Sequence, residues 1–305
     1  MATKEARPKL VPDLKFGSYS DGSPLDEVQY LECKIILKPD RFTSRHCFTD
    51  YGALVKHAAD EFGIGFSTKG VAGQKPRFRE VLFLDTPDFR LYNNAFILRR
   101  RMPYEDGFPA GEAEIVFKFR HPDMQIAAER DLRPNIPGKY RIKFKAEALP
   151  LRDKIGGFRM LFSHNVQFGL SQAPEGDRTS LAALAHAFPA LSAFKKFDTE
   201  KVELVNRTFV EEVLQDLGVL DFGKGIEAKA NAALWRSRGD HRPLVGEFSF
   251  QCKFKRRDEL HAKAMKRCEQ FFTSLQVVGS DWVALGTTKT GTVYRLNGNS
   301  PQSHE

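Results

Sequence analysis

Residues 30–37 read Tyr30-Leu31-Glu32-Cys33-Lys34-Ile35-Ile36-Leu37, and polar and apolar side chains alternate along most of them. Three more segments show the same alternation: Ile97-Leu98-Arg99-Arg100-Arg101, Glu114-Ile115-Val116-Phe117-Lys118-Phe119-Arg120 and Glu247-Phe248-Ser249-Phe250-Gln251-Cys252-Lys253-Phe254. Successive side chains of a β-strand point to opposite faces. Each segment is therefore predicted to be a strand with one charged face and one apolar face.

The charged faces of these strands mix many cations with a few carboxylates. Their members are Glu32, Lys34, Arg99, Arg101, Glu114, Lys118, Arg120, Glu247 and Lys253. The opposite faces carry Leu, Ile, Phe and Cys and are predicted to form the core. Such a mixture suits a polyanion whose charge is neutralised partly by protein cations and partly by a metal ion.

The composition allows a substantial core and favours an anionic partner. The chain has 305 residues, of which 41% are hydrophobic and 28% charged, with a formal net charge of +8. A basic protein attracts nucleic acid, anionic membranes or phosphorylated small molecules, and the composition does not choose among them. The basic clusters at 253–257 and 263–267 occur without a nucleic-acid-binding motif. We interpret them as solvated charge and expect no nucleic-acid partner.

Several classes of protein are not expected. No apolar run approaches the roughly 20 residues that cross a bilayer, and the first residues lack an apolar signal core. The four cysteines, at 33, 47, 252 and 268, have no CxxC spacing, so neither a zinc site nor a disulfide framework is indicated. No phosphate-binding P-loop motif occurs. We expect a cytoplasmic protein without a membrane partner.

The order of the predicted elements indicates an α+β protein with one main domain. Residues 1–24 are predicted to be a flexible lead-in, 25–297 a single domain with an insertion at about 133–200, and 298–305 a polar tail. Helices are predicted from Thr49 to about Phe62, from Thr179 to about Phe188 and from about Asp258 to Val277.

The strands between these helices predict an antiparallel eight-stranded β-barrel with helices packed outside. If the apolar faces pack outward, the charged faces line a tunnel. Buried charge at that density is costly without compensation, so a wet cavity for a highly charged ligand is expected.

Three motifs carry a family resemblance. They are Glu32-Cys33-Lys34, Phe83-Leu84-Asp85-Thr86-Pro87-Asp88-Phe89-Arg90-Leu91 and Leu98-Arg99-Arg100-Arg101. They resemble the Glu-x-Glu-x-Lys strand, the Tyr-Phe-Asp-Thr-Pro-x-x-x-Leu run and the Leu-Arg-x-Arg strand of the CYTH superfamily, also called triphosphate tunnel metalloenzymes. This superfamily includes thiamine triphosphatases, inorganic triphosphatases, a class of adenylate cyclases and fungal RNA triphosphatases.

The resemblance implies divalent-metal-dependent hydrolysis of a triphosphate or short polyphosphate, with water as the nucleophile. The implied phosphate ligands are Lys34, Arg99, Arg101, Lys118, Arg207 and Lys289. The implied ligands of Mg²⁺ or Mn²⁺ are Glu32, Glu247 and Glu129, with Glu114 as a further candidate. The expected partner is a phosphorylated small molecule: tripolyphosphate, thiamine triphosphate or a nucleoside triphosphate.

Two positions depart from the family pattern. Tyr30 and Ser249 stand where the family carries carboxylates, which removes ligands for a second ion. These changes favour an alternative function, a weak or inactive tunnel that binds polyphosphate or nucleotide as a sensor or scaffold. Polyphosphate synthesis and nucleotide cyclisation would use nearly the same residues and stay open.

Overall fold

The computed structural model describes residues 9–12, 17–173, 179–195, 199–298 and 301. The strands in this part of the chain are β1 (Tyr30–Leu37), β2 (Gly65–Ser67), β3 (Arg77–Asp85), β4 (Phe96–Glu105), β5 (Phe108–Pro109), β6 (Glu114–His121), β7 (Arg141–Pro150), β8 (Phe158–Gly169), β9 (Glu203–Leu204), β10 (Val210–Asp221), β11 (Glu227–Ser237) and β12 (Pro243–Lys253). The α-helices are α1 (His46–Glu61), α2 (Arg90–Asn93), α3 (Met124–Glu129), α4 (Leu181–Ala187), α5 (Ala262–Val278) and α6 (Lys289–Tyr294).

Nine of these strands close into a barrel. Their order is β10-β11-β12-β1-β7-β8-β6-β4-β3, and β3 pairs back with β10. The β1–β7 pair is parallel and the other eight pairings are antiparallel. The expectation of an α+β barrel with helices outside is confirmed, but the prediction of eight antiparallel strands was wrong.

The ninth strand and the parallel pair have the same origin. Segment 133–200, expected to be an insertion, supplies both β7 and β8. After β6 the chain passes through α3 and returns, so that β7 lies beside β1 in the same direction, with Tyr30 opposite Lys145. A parallel neighbour needs such a crossover, whereas a hairpin gives an antiparallel one.

The outer face of the barrel is apolar and packs against two long helices. On β1, the side chains of Leu31, Cys33 and Ile35 are fully buried. Helix α5 places Phe271 on the outer face of β12, where its ring centre lies 5.4 Å from that of Phe250. Packing the apolar faces outward leaves the charged faces of the same strands directed into the barrel.

Several local expectations were wrong. Residues 124–129 form helix α3, whose N-terminus is capped by the Asp123 carboxylate. Helix α1 begins at His46, so Thr49 lies inside it, and Ser180 rather than Thr179 caps α4. The short helices α3 and α4 begin at side-chain caps, which a long periodic pattern does not reveal.

Parts of the predicted flexible lead-in pack onto the domain. The Tyr19 hydroxyl donates to the Asp26 carboxylate at 3.0 Å and to the Ala128 carbonyl at 3.2 Å, and Leu10 is buried. Residues 1–8 and 13–16 of the lead-in lie outside the described residues, as do 299–300 and 302–305 of the predicted polar tail. In the described part, none of the helices combines the length and apolarity needed to span a membrane.

The barrel wall has one irregular place, along β10. Its pairing with β3 stops at Leu214 opposite Arg77, and its pairing with β2 starts at Val219 opposite Ser67. Among the described residues, positions 215–218 have no strand partner on that side, and a bulge between Asp216 and Gly218 disturbs the pairing with β11. Residues 68–76, which join β2 to β3, span this gap. We call it the wall gap.

Candidate functional site

The charged strand faces line a cavity of about 370 Å³ inside the barrel, here called the tunnel. Its cations are Lys34, Arg77, Arg79, Arg99, Arg101, Lys118, Arg120, Lys143, Lys145, Lys229 and Lys289. Its carboxylates are Glu32, Glu147, Asp216, Glu212 and Glu247. Eleven cations face five carboxylates, so the lining carries an excess of six positive charges. A polar cavity with this excess attracts a compact polyanion.

One buried carboxylate organises the side of the tunnel formed by β1, β6 and β7. The Oε1 atom of Glu147 lies 3.0 Å from the Lys34 ammonium and 3.2 Å from that of Lys118, and Oε2 lies 3.4 Å from Nε of Arg120. Ser163 also donates to Oε1 at 2.7 Å. Burial alone would raise the pKa of Glu147, but Lys118, Lys34 and Arg120 hold it well below its ordinary value. We call these residues the Glu147 cluster.

A second acidic group lies on the opposite side of the tunnel. Lys289, at the start of α6, contacts Glu247 at 2.8 Å and Glu212 at 3.3 Å. Arg79 donates from Nε to Glu212 at 2.6 Å, and the Trp235 indole donates to the same carboxylate at 2.9 Å. Burial opposes ionisation of Glu212, yet Lys289 and Arg79 lower its pKa below the ordinary value. We call this the Glu212 cluster.

Arg99 stands between the two clusters with its charge uncompensated. It lies on β4, between β3 and β6, and lines the tunnel. Its buried Nε atom has no hydrogen-bond partner, and no described carboxylate forms an ion pair with it. Arg99 is half-buried, and a buried N–H without an acceptor is unfavourable unless a ligand supplies one. The neighbouring tunnel arginine, Arg101, contacts Glu114 at 3.3 Å.

Two lysines in the tunnel titrate close to neutral pH. Burial and the nearby Arg120 lower the pKa of Lys118 to about 7, although Glu147 opposes this effect. Burial, Lys145 and neighbouring cations lower the pKa of Lys143 to about 8. Crowded like charges in a partly dry cavity favour the neutral amine, and a bound polyanion reverses this by supplying negative charge.

The tunnel gathers most of the residues expected from the sequence. Those that line it are Glu32, Lys34, Arg99, Arg101, Lys118, Glu247, Ser249 and Lys289. Arg207 is exposed in the short 3₁₀ segment Val205–Arg207, and Glu129 is exposed on α3, where Gln125 donates to it at 2.9 Å. Neither of these lines the tunnel. Tyr30 is half-buried at the end of β1, with the Lys145 ammonium 5.7 Å from its ring centre.

Sequence reasoning missed several charged residues of the tunnel: Arg77, Arg79, Lys143, Lys145, Glu147 and Glu212. Two of the strands carried a usable signal. Lys143, Lys145 and Glu147 alternate with apolar residues along β7, as do Arg77 and Arg79 along β3. That period of two is the same signal that identified β1.

The Asp-Thr-Pro motif has a structural role beside the tunnel rather than in it. Asp85 is buried, and its carboxylate accepts the backbone amides of Thr86, Leu91 and Tyr92 at 2.8–2.9 Å. The Tyr294 hydroxyl donates to it at 3.1 Å. The motif thus fixes the turn between β3 and β4, and with it the direction of β4, the strand that carries Arg99.

The expected metal ligands Glu32 and Glu247 do not lie opposite each other on their adjacent strands. Glu32 and Glu247 are separated along the paired strands, since Gln251 lies opposite Glu32 and Ile36 opposite Glu247. Among the described residues, no three His, Cys, Asp or Glu side chains are placed to hold one ion. Two pairs of tunnel carboxylates share a lysine: Glu212 and Glu247 share Lys289, and Glu32 and Glu147 share Lys34.

Neither a protein-family model nor a curated protein sequence matches this chain. Several solved structures are similar to it. A proposed adenylyl cyclase from Hippeastrum with a dominant triphosphatase activity is 12% identical over 90% of this chain and 100% of its own, with a TM-score of 0.40.

A proposed adenylate cyclase from Bacillus halodurans is 11% identical over 86% of this chain and 95% of its own, with a TM-score of 0.34. The PH1819 protein of Pyrococcus horikoshii is 12% identical over 81% and 89%, with a TM-score of 0.33. At these identities and scores the likeness assigns neither activity nor substrate to this chain.

Proposed function

We propose that the tunnel binds a triphosphate or short polyphosphate and hydrolyses its phosphoanhydride bond. The observation that carries the proposal is Arg99, whose guanidinium lies unpaired in a cavity with an excess of six positive charges. Arginine presents a planar fork of donors that matches two phosphate oxygens. Phosphoryl transfer depends mainly on positioning and on stabilisation of charge, which such a lining supplies.

In this proposal Arg99, Arg101 and Lys118 hold the phosphate oxygens from one side of the tunnel. The ammonium groups of Lys34 and Lys289 hold them from β1 and α6. Their positive charge stabilises the negative charge that moves to the leaving oxygen when the anhydride bond breaks. Water is the nucleophile, and no side chain forms a covalent intermediate.

A divalent ion enters this proposal as part of the substrate, bound to the oxygens of the triphosphate. Mg²⁺ in phosphate sites keeps several waters and uses only one or two protein carboxylates. Glu247 and Glu212 are the candidates, because their shared partner Lys289 can turn toward the phosphates. Glu32, held by Lys145 at 2.9 Å and Lys34 at 3.3 Å, would stay a partner of lysines.

The test is phosphate release from tripolyphosphate, thiamine triphosphate and nucleoside triphosphates, with and without Mg²⁺ or Mn²⁺. Hydrolysis of at least one compound supports the proposal. Tight binding of all with no turnover would instead establish the sensor or scaffold, an alternative favoured by the absence of a three-ligand metal group among the described residues. No binding by any compound would refute both.

Glu247→Gln is expected to remove most Mg²⁺-dependent turnover, about 10²-fold, while tripolyphosphate binding without metal stays within about threefold. The substitution keeps the side-chain volume and removes only the anionic oxygen. Glu32→Gln is the matched comparison on β1 and is expected to cost less turnover. Equal turnover of Glu247→Gln and the wild type would remove Glu247 from any contact with the ion.

Triphosphate affinity is expected to fall as the pH rises from about 6 to about 9, because Lys118 and Lys143 lose their protons over this range. The pKa values of about 7 and about 8 mean that binding above neutral pH takes up protons. Titration calorimetry in two buffers of different ionisation enthalpy measures that uptake. It should shrink in Lys118→Met, and a wild type that takes up no protons at about pH 8 would contradict the assignment.

A further inference from the structure

Lys145 crosses the inner face of β1 and is held there by oxygen atoms from two strands. It lies on β7, and its ammonium donates to the Glu32 carboxylate at 2.9 Å and to the side-chain oxygen of Gln251 at 2.7 Å. Strand β1 lies between β7 and β12, and Gln251 on β12 is opposite Glu32. One ammonium therefore connects three neighbouring strands at the same place in the tunnel wall.

The ring of Tyr30 lies beside the same ammonium. Tyr30 is opposite Lys145 in the β1–β7 pair and opposite Lys253 in the β1–β12 pair. The ammonium groups of these two lysines lie 5.7 Å and 5.9 Å from the centre of the ring. The face of an aromatic ring attracts a cation at such distances. Lys145 thus has a carboxylate, an amide oxygen and an aromatic ring around its charge.

These contacts oppose the binding of a divalent ion at Glu32. An ion shared by Glu32 and Gln251 would lie about 2.0–2.6 Å from their oxygens, where the Lys145 ammonium already lies, and like charges that close repel each other strongly. The Glu32 carboxylate is also contacted by the Lys34 ammonium at 3.3 Å. Position 30, on the same face of β1, offers an aromatic ring in place of a second carboxylate. The residues at this place fit an ammonium and do not fit a metal ion.

We infer that the Lys145 ammonium takes the place of a divalent ion on the β1 side of the tunnel and binds phosphate oxygens there, with Tyr30 and Gln251 as its positioning residues. This inference rests on the proposed function. An ammonium has three donors, and the described residues accept from two of those of Lys145, so the third is open to a ligand. Lys145 lines the tunnel, and 17% of its side chain is exposed, so a phosphate can reach it.

The first test titrates the protein with Mn²⁺ alone and measures the bound ion by electron paramagnetic resonance. Glu32→Gln should leave the Mn²⁺ affinity of the wild type within about threefold, because Lys145 already holds that carboxylate. Lys145→Met removes the ammonium, keeps most of the stem and should raise the Mn²⁺ affinity at least about tenfold, since ligand charge sets the affinity of such sites. Adding Glu32→Gln to Lys145→Met should remove the gain.

Lys143→Met is the matched control for Mn²⁺ binding. Lys143 precedes Lys145 by two residues on β7 and also lines the tunnel, and no described carboxylate forms an ion pair with it. Its substitution removes the same charge from the same face without releasing Glu32. The Mn²⁺ affinity of Lys143→Met should therefore stay within about threefold of the wild type, since a charge several ångströms further away acts weakly.

The second test measures tripolyphosphate binding by calorimetry. Without metal, Lys145→Met should lower the affinity about tenfold, the effect of losing one hydrogen bond from a charged donor. With Mn²⁺ present, the deficit relative to the wild type should shrink to about threefold, because the released Glu32 can then hold an ion in place of the ammonium. The double variant Lys145→Met, Glu32→Gln should show no such recovery.

Tyr30 should act only through Lys145. Tyr30→Leu should lower the metal-free tripolyphosphate affinity about threefold, and Tyr30→Phe, which keeps the ring face, should match the wild type. In the Lys145→Met background, Tyr30→Leu should have no further effect, because the cation that the ring positions is gone. If Tyr30→Leu has its full effect in that background, Tyr30 is not a positioning residue for Lys145.

Three results would overturn the inference. The first is a wild type whose Mn²⁺ affinity falls tenfold or more in Glu32→Gln, since Glu32 would then already hold an ion. The others are an unchanged Mn²⁺ affinity and an unchanged tripolyphosphate affinity in Lys145→Met. The proposed function fails separately. If the wild type binds no tripolyphosphate, the role of the tunnel is wrong, and the Mn²⁺ titration still decides whether Lys145 keeps an ion from Glu32.

Discussion

Arg99→Ala is expected to lower kcat/KM for triphosphate hydrolysis by about 10²–10³-fold, the range measured when one preorganised donor to a transition-state charge is removed. Arg99 lines the tunnel, and no described carboxylate forms an ion pair with its guanidinium. Its positive charge is therefore available in full to the phosphates. Removal of an unpaired charge from a cationic cavity should leave the unliganded protein as stable as the wild type or more stable.

Arg100→Ala is the matched control, because Arg100 neighbours Arg99 on the same strand and points to the outer face. There it contacts Glu80 at 3.4 Å. Its loss should change kcat/KM by less than about threefold, since Arg100 does not line the tunnel. Steady-state kinetics and melting temperatures with and without tripolyphosphate distinguish the two variants. A variant Arg99→Ala that keeps both its activity and its ligand-induced stabilisation would show that Arg99 does not hold phosphate.

Where the apolar and charged residues alternate strictly, the sequence predicted both the fold and the site. On β1 and β4, Lys34 and Arg99 were assigned to the inner face from the period of two, and both line the tunnel. This assignment requires only that side chains alternate between the two faces of a strand and that one face is buried. The same pattern on β7 would have placed Glu147, but its strand was judged a weak candidate within a supposed insertion.

Along strand β10 the period of two does not identify the inner face. It carries adjacent Glu211 and Glu212 and a bulge between Asp216 and Gly218, which shifts the alternation by one residue. No fixed period runs through such a strand, so Glu212 was missed together with the strand. The exposed positions of Arg207 and Glu129 were missed for a related reason. Residues just outside a strand have no face that a period can assign.

The partners of each carboxylate were beyond any pattern in the sequence. Alternation shows that Glu147 faces inward, but it does not show which cations lie across the barrel. That arrangement depends on the order of the strands, in which β7 lies between β1 and β8 with β6 one strand beyond. The register between the adjacent strands β1 and β12 offsets Glu32 from Glu247, which the motifs had suggested as ligands of one ion.

Glu147→Gln is expected to lower the free energy of unfolding by about 3–5 kcal/mol, the cost of removing one partner from a buried ion pair. Lys34, Lys118 and Arg120 all contact this one carboxylate, and Glu147 itself is only 1% exposed. Without its negative charge these three cations repel one another with no carboxylate between them. Urea unfolding monitored by circular dichroism measures the difference.

The sign of the pH dependence follows from the lowered pKa of Glu147. A carboxyl group whose pKa is lower in the folded state stabilises the protein above its unfolded pKa of about 4.3, and this contribution is lost as the pH falls through the folded value. The wild type and Glu147→Gln should therefore differ fully at pH 7. The difference should shrink progressively as the solution becomes strongly acidic.

Glu80→Gln is the control, because Glu80 is also buried but faces outward, where Arg100 and Arg238 contact it. These two arginines are about one-third exposed, so water can solvate them when the carboxylate is lost, and the cost should be smaller. If the free energy of unfolding falls less in Glu80→Gln than in Glu147→Gln, the difference comes from the tunnel environment.

The stabilisation by tripolyphosphate distinguishes two possibilities for the Glu147 cluster: its cations are also available to phosphate, or they form an ordinary buried ion pair. If the three cations of the Glu147 cluster are also available to phosphate, the ligand supplies the negative charge that Glu147→Gln removed. At a ligand concentration 100 times the wild-type Kd, the wild type is stabilised by about 2.7 kcal/mol. At the same concentration the variant should gain more, because its Kd is lower. Glu80→Gln should gain no more than the wild type. An equal gain in all three proteins would mean that Glu147 and the phosphates do not compete for the same cations, and that the cluster is a structural element apart from the site.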